Sequence, residues 1–248
     1  MPYRIYLPDA YDNDDRTYPV LYLLHGLFGS FENWTELGGI EAAVAGRDLI
    51  VVMPEGEDGW YCNGINADDR YEHYITGELI EHCDKAYRTK NTKLFRAVAG
   101  NSMGGYGAVK FAIKFPQLFD FAYSSSGAFA VTDWNEESQP PQWQEYKASV
   151  TRIYGNKNCR IRAENDIFEL AKIADKINLP EIYFDCGIDD KFLEVNTTLA
   201  DSFKKLGVSC NFQKISGGHD WEFWSNRAKH IIEIADRRLC KGIKDRLV

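Results

Sequence analysis

The chain contains short continuous apolar runs, each of which ends at a polar or glycine-rich turn. Runs of this length are typical of strands that are buried on both faces of a parallel sheet. An alternating segment near the N-terminus is typical of a strand with one covered face. The predicted strands cover residues 2–8, 20–24, 49–53, 95–99, 121–125, 182–186 and 210–215.

The segments between these runs carry apolar residues three or four positions apart, which predicts helices. Strands that alternate with helices predict an α/β fold, with a mostly parallel sheet and helices on both faces. The stretch from about 128 to 180 is polar and weakly periodic, so we expect a small cap inserted into a single domain that spans 1–248. The predicted helices cover 34–45, 71–88, 193–206 and about 222–239, and another begins directly after Ser102.

The strongest chemical signal is the sequence Gly100-Asn101-Ser102-Met103-Gly104, between a predicted strand and a predicted helix. A turn this tight needs glycine on each side, and it exposes the central serine at the N-terminal end of the helix. Free N–H groups and the helix dipole favour an oxyanion there. We therefore predict that Ser102 is a nucleophile. The Gly-x-Ser-x-Gly pattern also occurs by chance, so the prediction depends on its partner groups.

A serine nucleophile needs a histidine base and a carboxylate that orients the base. His219 is the candidate base because it stands in a glycine-rich loop between the last predicted strand and the last predicted helix. The carboxylate should follow the preceding strand, where Asp189 and Asp190 are adjacent. The residues alone leave both open. The order serine, acid, histidine along the chain is that of the α/β-hydrolases.

Acyl transfer also needs two backbone donors for the oxyanion. One is the N–H of Met103, directly after the nucleophile. The other should come from the loop after the first buried strand, where His25, Gly26 and Leu27 follow one another. We assign the N–H of Leu27 to this role. His25 is then expected to shape the loop rather than to move protons.

Composition and charge narrow the possible partners. The chain has 29 Lys and Arg against 37 Asp and Glu, a net charge of −8, so no nucleic-acid partner is expected. No apolar run reaches the length of a membrane span, so we expect no membrane association. No signal peptide is recognisable, so we expect a cytoplasmic location, or secretion if a leader has been removed. Six isolated cysteines favour free thiols. We expect no metal and no cofactor, since no metal-ligand spacing or nucleotide loop is recognisable.

Four stretches together resemble the putative esterase (esterase D-like) family of α/β-hydrolases. They are Tyr-Leu-Leu-His-Gly-Leu-Phe-Gly-Ser at 22–30, Gly-Asn-Ser-Met-Gly-Gly-Tyr-Gly-Ala at 100–108, Cys-Gly-Ile-Asp-Asp at 186–190 and Gly-Gly-His-Asp-Trp at 217–221. That family includes tributyrin-type esterases, feruloyl esterases, S-formylglutathione hydrolases and mycolyltransferases. The resemblance covers nearly the whole chain and implies a triad of Ser102, Asp190 and His219, with Asp190 preferred to Asp189. Asn101 departs from the family pattern.

The residues and the resemblance together predict a serine carboxylesterase that hydrolyses short-chain or aryl esters, of the feruloyl or acetyl type, through an acyl-enzyme. The alternative is an acyltransferase or an S-formylglutathione (thioester) hydrolase. A non-catalytic carbohydrate- or partner-binding module is least favoured. The expected partner is a small-molecule or carbohydrate-linked ester. Aromatic residues expected to bind the substrate are Phe28, Trp60, Trp134 and Trp221.

Overall fold

The computed structural model describes residues 1–138 and 143–241, which form a seven-stranded sheet with helices around it. The strand order is β1-β3-β2-β4-β5-β6-β7. β1 is antiparallel to β3, and every other neighbouring pair is parallel, which confirms the predicted fold class. The strands are β1 (Tyr3–Tyr6), β2 (Val20–Leu24), β3 (Ile50–Pro54), β4 (Arg96–Asn101), β5 (Phe121–Ser125), β6 (Glu181–Gly187) and β7 (Cys210–Ile215).

Helices connect these strands. The α-helices are α1 (Asn33–Glu36), α2 (Ile40–Val44), α3 (Tyr71–His73), α4 (Ile80–Ala86), α5 (Met103–Lys114), α6 (Trp143–Tyr154), α7 (Arg160–Asn165), α8 (Ile167–Ile173), α9 (Leu193–Leu206) and α10 (Trp221–Ala235). Short 3-10 turns lie at Tyr11–Asn13, Lys93–Phe95 and Val131–Asp133, and π-helical turns lie at Tyr74–Leu79 and Asp236–Lys241.

Each face of the sheet has its own apolar core. Successive residues of a strand point to opposite faces, so Tyr22 and Leu24 of β2 join one core while Leu21 and Leu23 join the other. The first core packs the sheet against α4, α5, α8 and α9, and the second packs it against α1, α2 and α10. The central strands are therefore buried on both faces, which explains their continuous apolar runs.

Two helices differ from their predicted extents. The helix expected over 34–45 is split into α1 and α2 at Gly38 and Gly39, because Gly39 adopts a left-handed conformation with φ 61°. The helix expected over 71–88 contains the π-helical turn Tyr74–Leu79 between α3 and α4. A π-turn inserts one residue into the helical repeat, and Leu79 and Ile80 are both buried as a result.

The stretch expected to be a cap contains the helices α6 to α8, between β5 and β6. Residues 139–142 of it lie outside the described part of the chain. The buried guanidinium of Arg162 holds this stretch together. It donates to the carbonyl oxygens of Thr132, Trp134 and Gly155, each at 2.8 Å. These bonds tie α7 to the chain that leaves β5.

Strained backbone positions are concentrated at one edge of the sheet. The non-glycine residues with positive φ in the described ranges all follow the carboxyl ends of parallel strands: Phe28 after β2, Glu57, Trp60 and Tyr61 after β3, Ser102 after β4 and Ser126 after β5. Each such conformation costs about 1–3 kcal/mol and tends to occur where function requires it. This edge is also where parallel sheets place their sites.

No helix in the described ranges is long and apolar enough to cross a membrane. The six cysteines are free thiols, as their isolated spacing predicted.

Candidate active site

Ser102 lies at the apex of the turn between β4 and α5, with φ 52° and ψ −114°. The surrounding glycines make this strained turn possible. A Cβ on Gly100 would lie 2.5 Å from the carbonyl carbon of Gly104, and a Cβ on Gly104 would lie 2.4 Å from the carbonyl oxygen of Leu24. Both positions require glycine because backbone atoms occupy the space that a side chain would need.

The structure brings Ser102, Asp190 and His219 together from loops after three different strands. Ser102 Oγ lies 3.0 Å from His219 Nε2, and His219 Nδ1 lies 2.9 Å from Asp190 Oδ2. If the Nδ1 proton is donated to Asp190, Nε2 is free to accept the hydroxyl proton of Ser102. This is the geometry that a serine nucleophile, its base and an orienting carboxylate require.

The two adjacent aspartates have different environments. Asp190 is buried, and its Oδ1 accepts the backbone N–H of Phe192 at 2.8 Å. Burial alone would raise the pKa of Asp190, but the bond and charge of His219, with hydrogen bonds from Ser126 and Phe192, lower it below its ordinary value. Asp189 is exposed. Of the two candidates it is therefore Asp190 that contacts His219.

The imidazole of His219 is clamped between two aromatic side chains. Phe192 and Trp224 each meet it edge to face, with centroid distances of 4.8 and 4.9 Å and an interplanar angle of 86°. Its side chain is only 15% exposed. Close packing on both sides fixes the orientation of the ring, so that Nε2 stays directed at Ser102.

The loop after β2 lies directly against the nucleophile. A Cβ on Gly26 would be 3.4 Å from the Cβ of Ser102. Leu27 lines the cavity that contains Ser102, and Met103 is the first residue of α5, where backbone N–H groups have no helical acceptor. In the described part of the chain, the backbone N–H groups of Leu27 and Met103 donate to no backbone carbonyl of a turn, loop or helix cap. Both remain free to donate to a ligand at Ser102.

His25 anchors this loop. Its Nδ1 lies 2.7 Å from the carbonyl oxygen of Gly26, and its Nε2 lies 3.0 Å from Glu55 Oε1 and 2.9 Å from the backbone nitrogen of Gly56. Burial alone would raise the pKa of Glu55, but His25 and nearby backbone N–H groups lower it to about 2. The His25 ring is therefore occupied by the loop, in agreement with the structural role expected from the sequence.

A cavity of about 360 Å³ opens beside Ser102. It combines aromatic walls with a few polar groups, which is typical of small-molecule sites. Its lining residues are Gly26, Leu27, Phe28, Gly29, Asn33, Leu37, Trp60, Asn101, Ser102, Glu145, Tyr146, Lys191, Phe192, His219, Trp221 and Trp224. The cavity therefore joins the loops after five parallel strands, β2, β3, β4, β6 and β7, to α6.

Three of the four aromatic residues predicted to bind substrate reach this cavity. Phe28 and Trp221 line it, and Phe28 is 58% exposed. Trp60 also belongs to the lining, but its side chain is almost fully buried and its Nε1 donates to Ser149 Oγ at 3.1 Å. Trp60 is thus mainly a packing residue with one edge at the cavity.

Trp134 lies behind the cavity lining, which differs from the expectation. Its ring is stacked on Tyr146 at 5.1 Å and on Phe192 at 5.7 Å, and only 6% of it is exposed. These two neighbours occupy the position at the cavity that Trp134 was expected to take. The sequence carried no sign of this layering, because the three residues come from separate segments.

Sequence reasoning did not single out Lys191, Tyr146 or Trp224. Lys191 directly follows Asp190, so its place in the loop that supplies the carboxylate could have indicated that it lies at the cavity. Its ammonium group donates to the hydroxyl of Tyr146, and burial lowers the pKa of Lys191. Trp224 lies in the first turn of α10, which begins shortly after His219, and could have been expected to pack on it. Within residues 1–138 and 143–241 no group of His, Cys, Asp or Glu could hold a metal ion.

The fold and the site together have the architecture of a serine hydrolase of the α/β-hydrolase class. Comparison with known proteins assigns the family. The family model described as putative esterase matches residues 1–231, and the chain therefore belongs to this family, as its motifs suggested. The protein is an enzyme, a serine hydrolase that acts on ester bonds.

Relatives cover most of the chain at moderate identity. An acetyl esterase of Caldicellulosiruptor saccharolyticus is 27% identical over 227 residues, which cover 90% of this chain and 85% of the relative. An S-formylglutathione hydrolase of Mus musculus is 25% identical, with 90% and 83% covered. The chain spans about half (51%) of an esterase of Mycobacterium tuberculosis, at 29% identity over 87% of this chain. A solved ferulic acid esterase superposes with a TM-score of 0.77 at 25% identity, covering 95% of this chain and 91% of that one.

Proposed function

We propose that the protein is a serine carboxylesterase in which Ser102 is the nucleophile, His219 the general base and acid, and Asp190 the carboxylate that orients His219. The observation that carries the proposal is the continuous set of contacts Ser102 Oγ–His219 Nε2 at 3.0 Å and His219 Nδ1–Asp190 Oδ2 at 2.9 Å. A hydroxyl, an imidazole and a buried carboxylate at these distances are the groups that acyl transfer requires.

In the first half-reaction, Ser102 Oγ attacks the ester carbonyl while His219 Nε2 takes the hydroxyl proton. Negative charge develops on the carbonyl oxygen, and the backbone N–H groups of Leu27 and Met103 stabilise it. Asp190 stabilises the imidazolium that forms. The tetrahedral intermediate collapses as His219 protonates the departing alcohol, which leaves the acyl group on Ser102.

In the second half-reaction, water replaces the alcohol. His219 removes a proton from the water, the resulting hydroxide attacks the acyl carbonyl, and the same two N–H groups receive the oxyanion. Return of the proton to Ser102 Oγ releases the carboxylic acid. Two steps with lower barriers thus replace one difficult hydrolysis.

The substrate we propose is a small ester with a short acyl group or an aryl group. A cavity of about 360 Å³ is large enough for such a molecule, and the rings of Phe28, Tyr146 and Trp221 offer flat apolar surfaces. The helices α6 to α8 then act as the cap, since Glu145 and Tyr146 of α6 lie at the cavity. Relatives named acetyl esterase and ferulic acid esterase are consistent with this substrate class.

A thioester hydrolase or an acyltransferase would use the same groups. The relative named S-formylglutathione hydrolase supports the first of these. The acyl-enzyme is common to all three activities, which differ in the leaving group and in the molecule that takes the acyl group from Ser102. They can therefore be separated by product analysis.

The test is hydrolysis of p-nitrophenyl acetate, butyrate and octanoate, methyl ferulate and a small thioester by the wild type and Ser102→Ala. We expect turnover by the wild type and a loss of several orders of magnitude in the variant. Ser209→Ala, at an exposed serine distant in sequence, is the matched control and should keep full activity. Equal rates in wild type and Ser102→Ala would overturn the assignment, and turnover only with an added alcohol acceptor would indicate a transferase.

A further inference from the structure

Tyr61 contacts both parts of the chain that carry the proposed oxyanion donors: the oxyanion loop (residues 25–27), which contains Leu27, and α5, which begins at Met103. It follows β3, is completely buried and has φ 52°, a left-handed conformation that is rare for an aromatic residue. Such a conformation is unfavourable and persists only where the surrounding structure holds it. The groups that hold Tyr61 therefore indicate what it does.

The ring of Tyr61 packs against the backbone of α5. A Cβ on Gly107 would lie 2.7 Å from Cδ2 of this ring, and a Cβ on Gly56 would lie 2.5 Å from its Cε1. Gly107 follows Met103 by four residues, so the two lie on the same face of α5. The absence of side chains at both glycines leaves room for the ring, which is therefore held against α5 one turn from Met103.

The backbone carbonyl oxygen of Tyr61 binds a buried ammonium group of the same helix. Lys110 of α5 donates to it at 2.6 Å, and the Lys110 side chain is completely buried. Its Nζ also lies 3.1 Å from Glu72 Oε2, so its charge is compensated. A charge-assisted hydrogen bond is stronger than one between neutral groups. This bond therefore fixes the strained backbone of Tyr61 to α5.

The hydroxyl group of Tyr61 reaches the oxyanion loop. It donates to the backbone carbonyl oxygen of His25 at 3.0 Å. Burial and the charge of Glu55 raise the pKa of Tyr61 well above its ordinary value, so the hydroxyl keeps the proton that this bond needs. The same carbonyl oxygen lies 2.7 Å from the place that a Cβ on Gly104 would take, in the first turn of α5. Tyr61 thus holds the loop where it meets the helix.

Peptide geometry transmits this hydrogen bond to the N–H of Leu27. The peptide bonds of the loop are trans, and in a planar trans peptide the C=O and N–H groups point in opposite directions. The Gly26 carbonyl oxygen accepts the N–H of Gly29 at 3.1 Å and lies 2.7 Å from His25 Nδ1. With the His25 carbonyl held by Tyr61, two successive peptide planes are fixed, and the second of them carries the N–H of Leu27.

We infer that Tyr61 is a positioning residue for the oxyanion: bound to α5 at its carbonyl and to the oxyanion loop at its hydroxyl, it holds the N–H groups of Leu27 and Met103 in register with each other. This inference rests on the proposed function, in which both N–H groups stabilise the oxyanion. Such donors are effective when they are already in place, because the transition state then requires no reorganisation. The ester ground state lacks the full negative charge, so Tyr61 should affect kcat more than KM.

The experiment compares the wild type with Tyr61→Phe, which keeps the ring and removes only the hydroxyl group. In hydrolysis of p-nitrophenyl acetate we expect kcat to fall about tenfold and KM to stay within about twofold, since the loop is no longer held in place. The second measurement is NMR relaxation of the backbone amide of Leu27 without substrate. This amide should become more mobile in the variant.

The matched control is Tyr106→Phe. Tyr106 is also a completely buried tyrosine, and its hydroxyl donates to a backbone carbonyl oxygen, that of Asn165, at 2.7 Å. Either substitution leaves a buried carbonyl without this donor, so both variants should lose stability to a similar extent. Tyr106 is not bound to the oxyanion loop through its hydroxyl, so Tyr106→Phe should leave kcat and the mobility of the Leu27 amide unchanged.

An unchanged kcat or an unchanged Leu27 amide in Tyr61→Phe would overturn the inference, as would equal changes in Tyr106→Phe. A rise in KM without a fall in kcat would also overturn it, because ground-state binding would then be affected instead of the oxyanion. The amide measurement needs no substrate. A wild type without esterase activity would therefore refute the proposed function, while the Leu27 amide would still decide whether Tyr61 holds the loop.

Discussion

Asp190 Oδ2 accepts His219 Nδ1–H at 2.9 Å, and this bond distinguishes it from its neighbour in the sequence. We predict that Asp190→Asn lowers kcat/KM by about 10³–10⁴-fold, because an amide can stabilise the wrong tautomer of His219 and cannot stabilise the imidazolium. The measurement is ester hydrolysis under conditions where the variant is shown to be folded. Asp189→Asn is the control and should stay within about twofold, since Asp189 is exposed. Similar losses in both variants would contradict the assignment.

The glycines around Ser102 should be intolerant of a single methyl group. Gly104→Ala places a Cβ 2.4 Å from the carbonyl oxygen of Leu24, so we predict a loss of at least about 2 kcal/mol in the free energy of unfolding. Gly77→Ala is the control, because its new Cβ would be 3.7 Å from the nearest atom, a ring carbon of His73. It should be neutral or stabilise by about 0.5–1 kcal/mol. Urea unfolding of the two variants tests the difference, and equal losses would refute the steric explanation.

Glu55 should make stability depend on pH. Its pKa in the folded protein is about 2, below the ordinary value of 4.5, so it favours the folded state above pH 4.5 and loses that contribution as the pH falls through 2. We predict that Glu55→Gln costs about 2 kcal/mol at pH 7 and that the gap to wild type closes below pH 4.5. Urea unfolding at pH 7, 4.5 and 3 measures this. A gap that does not change with pH would contradict it.

Truncation of Phe28 should mainly change KM, whereas truncation of Trp134 should mainly lower stability. Phe28 is 58% exposed at the cavity, so Phe28→Ala should cost less than about 1 kcal/mol of stability but raise KM for aryl esters several-fold. Trp134 is stacked between Tyr146 and Phe192, so Trp134→Ala should cost about 3–5 kcal/mol. Thermal unfolding and steady-state kinetics on methyl ferulate separate the effects. A stability loss in Phe28→Ala as large as that in Trp134→Ala would contradict the placement.

The positions of the strands along the chain and the candidate groups at Ser102 could be predicted because short stretches of sequence identify each of them. Continuous apolar runs such as Val20–Leu24 identify strands buried on both faces, and the loops after them bear the reacting groups. Gly100 and Gly104 flank Ser102 in the sequence, and the turn needs glycine at both positions because a Cβ would meet backbone atoms of Gly104 and Leu24. Local requirements of this kind leave a signature in the sequence.

The remaining features depend on distant segments that meet in space. The π-helical turn at Tyr74–Leu79 fits the same apolar spacing as an α-helix, so periodicity could not reveal it. Trp134 was expected to bind substrate because it is aromatic, but Tyr146 and Phe192 cover it. The contact of Ser126 with Trp224 joins residues 98 positions apart, and no spacing rule relates them.

The aromatic rings around His219 give the enzyme an optical property. Tyr146, Trp134 and Phe192 are stacked in series up to the imidazole, and on its other side Trp224 lies 5.3 Å from Trp221 with the two indole planes at 88°. Transition dipoles of two indoles this close couple strongly, and Trp221 forms part of the cavity wall. Near-ultraviolet circular dichroism and tryptophan emission should therefore change when a ligand enters, so that occupancy can be followed without an attached dye.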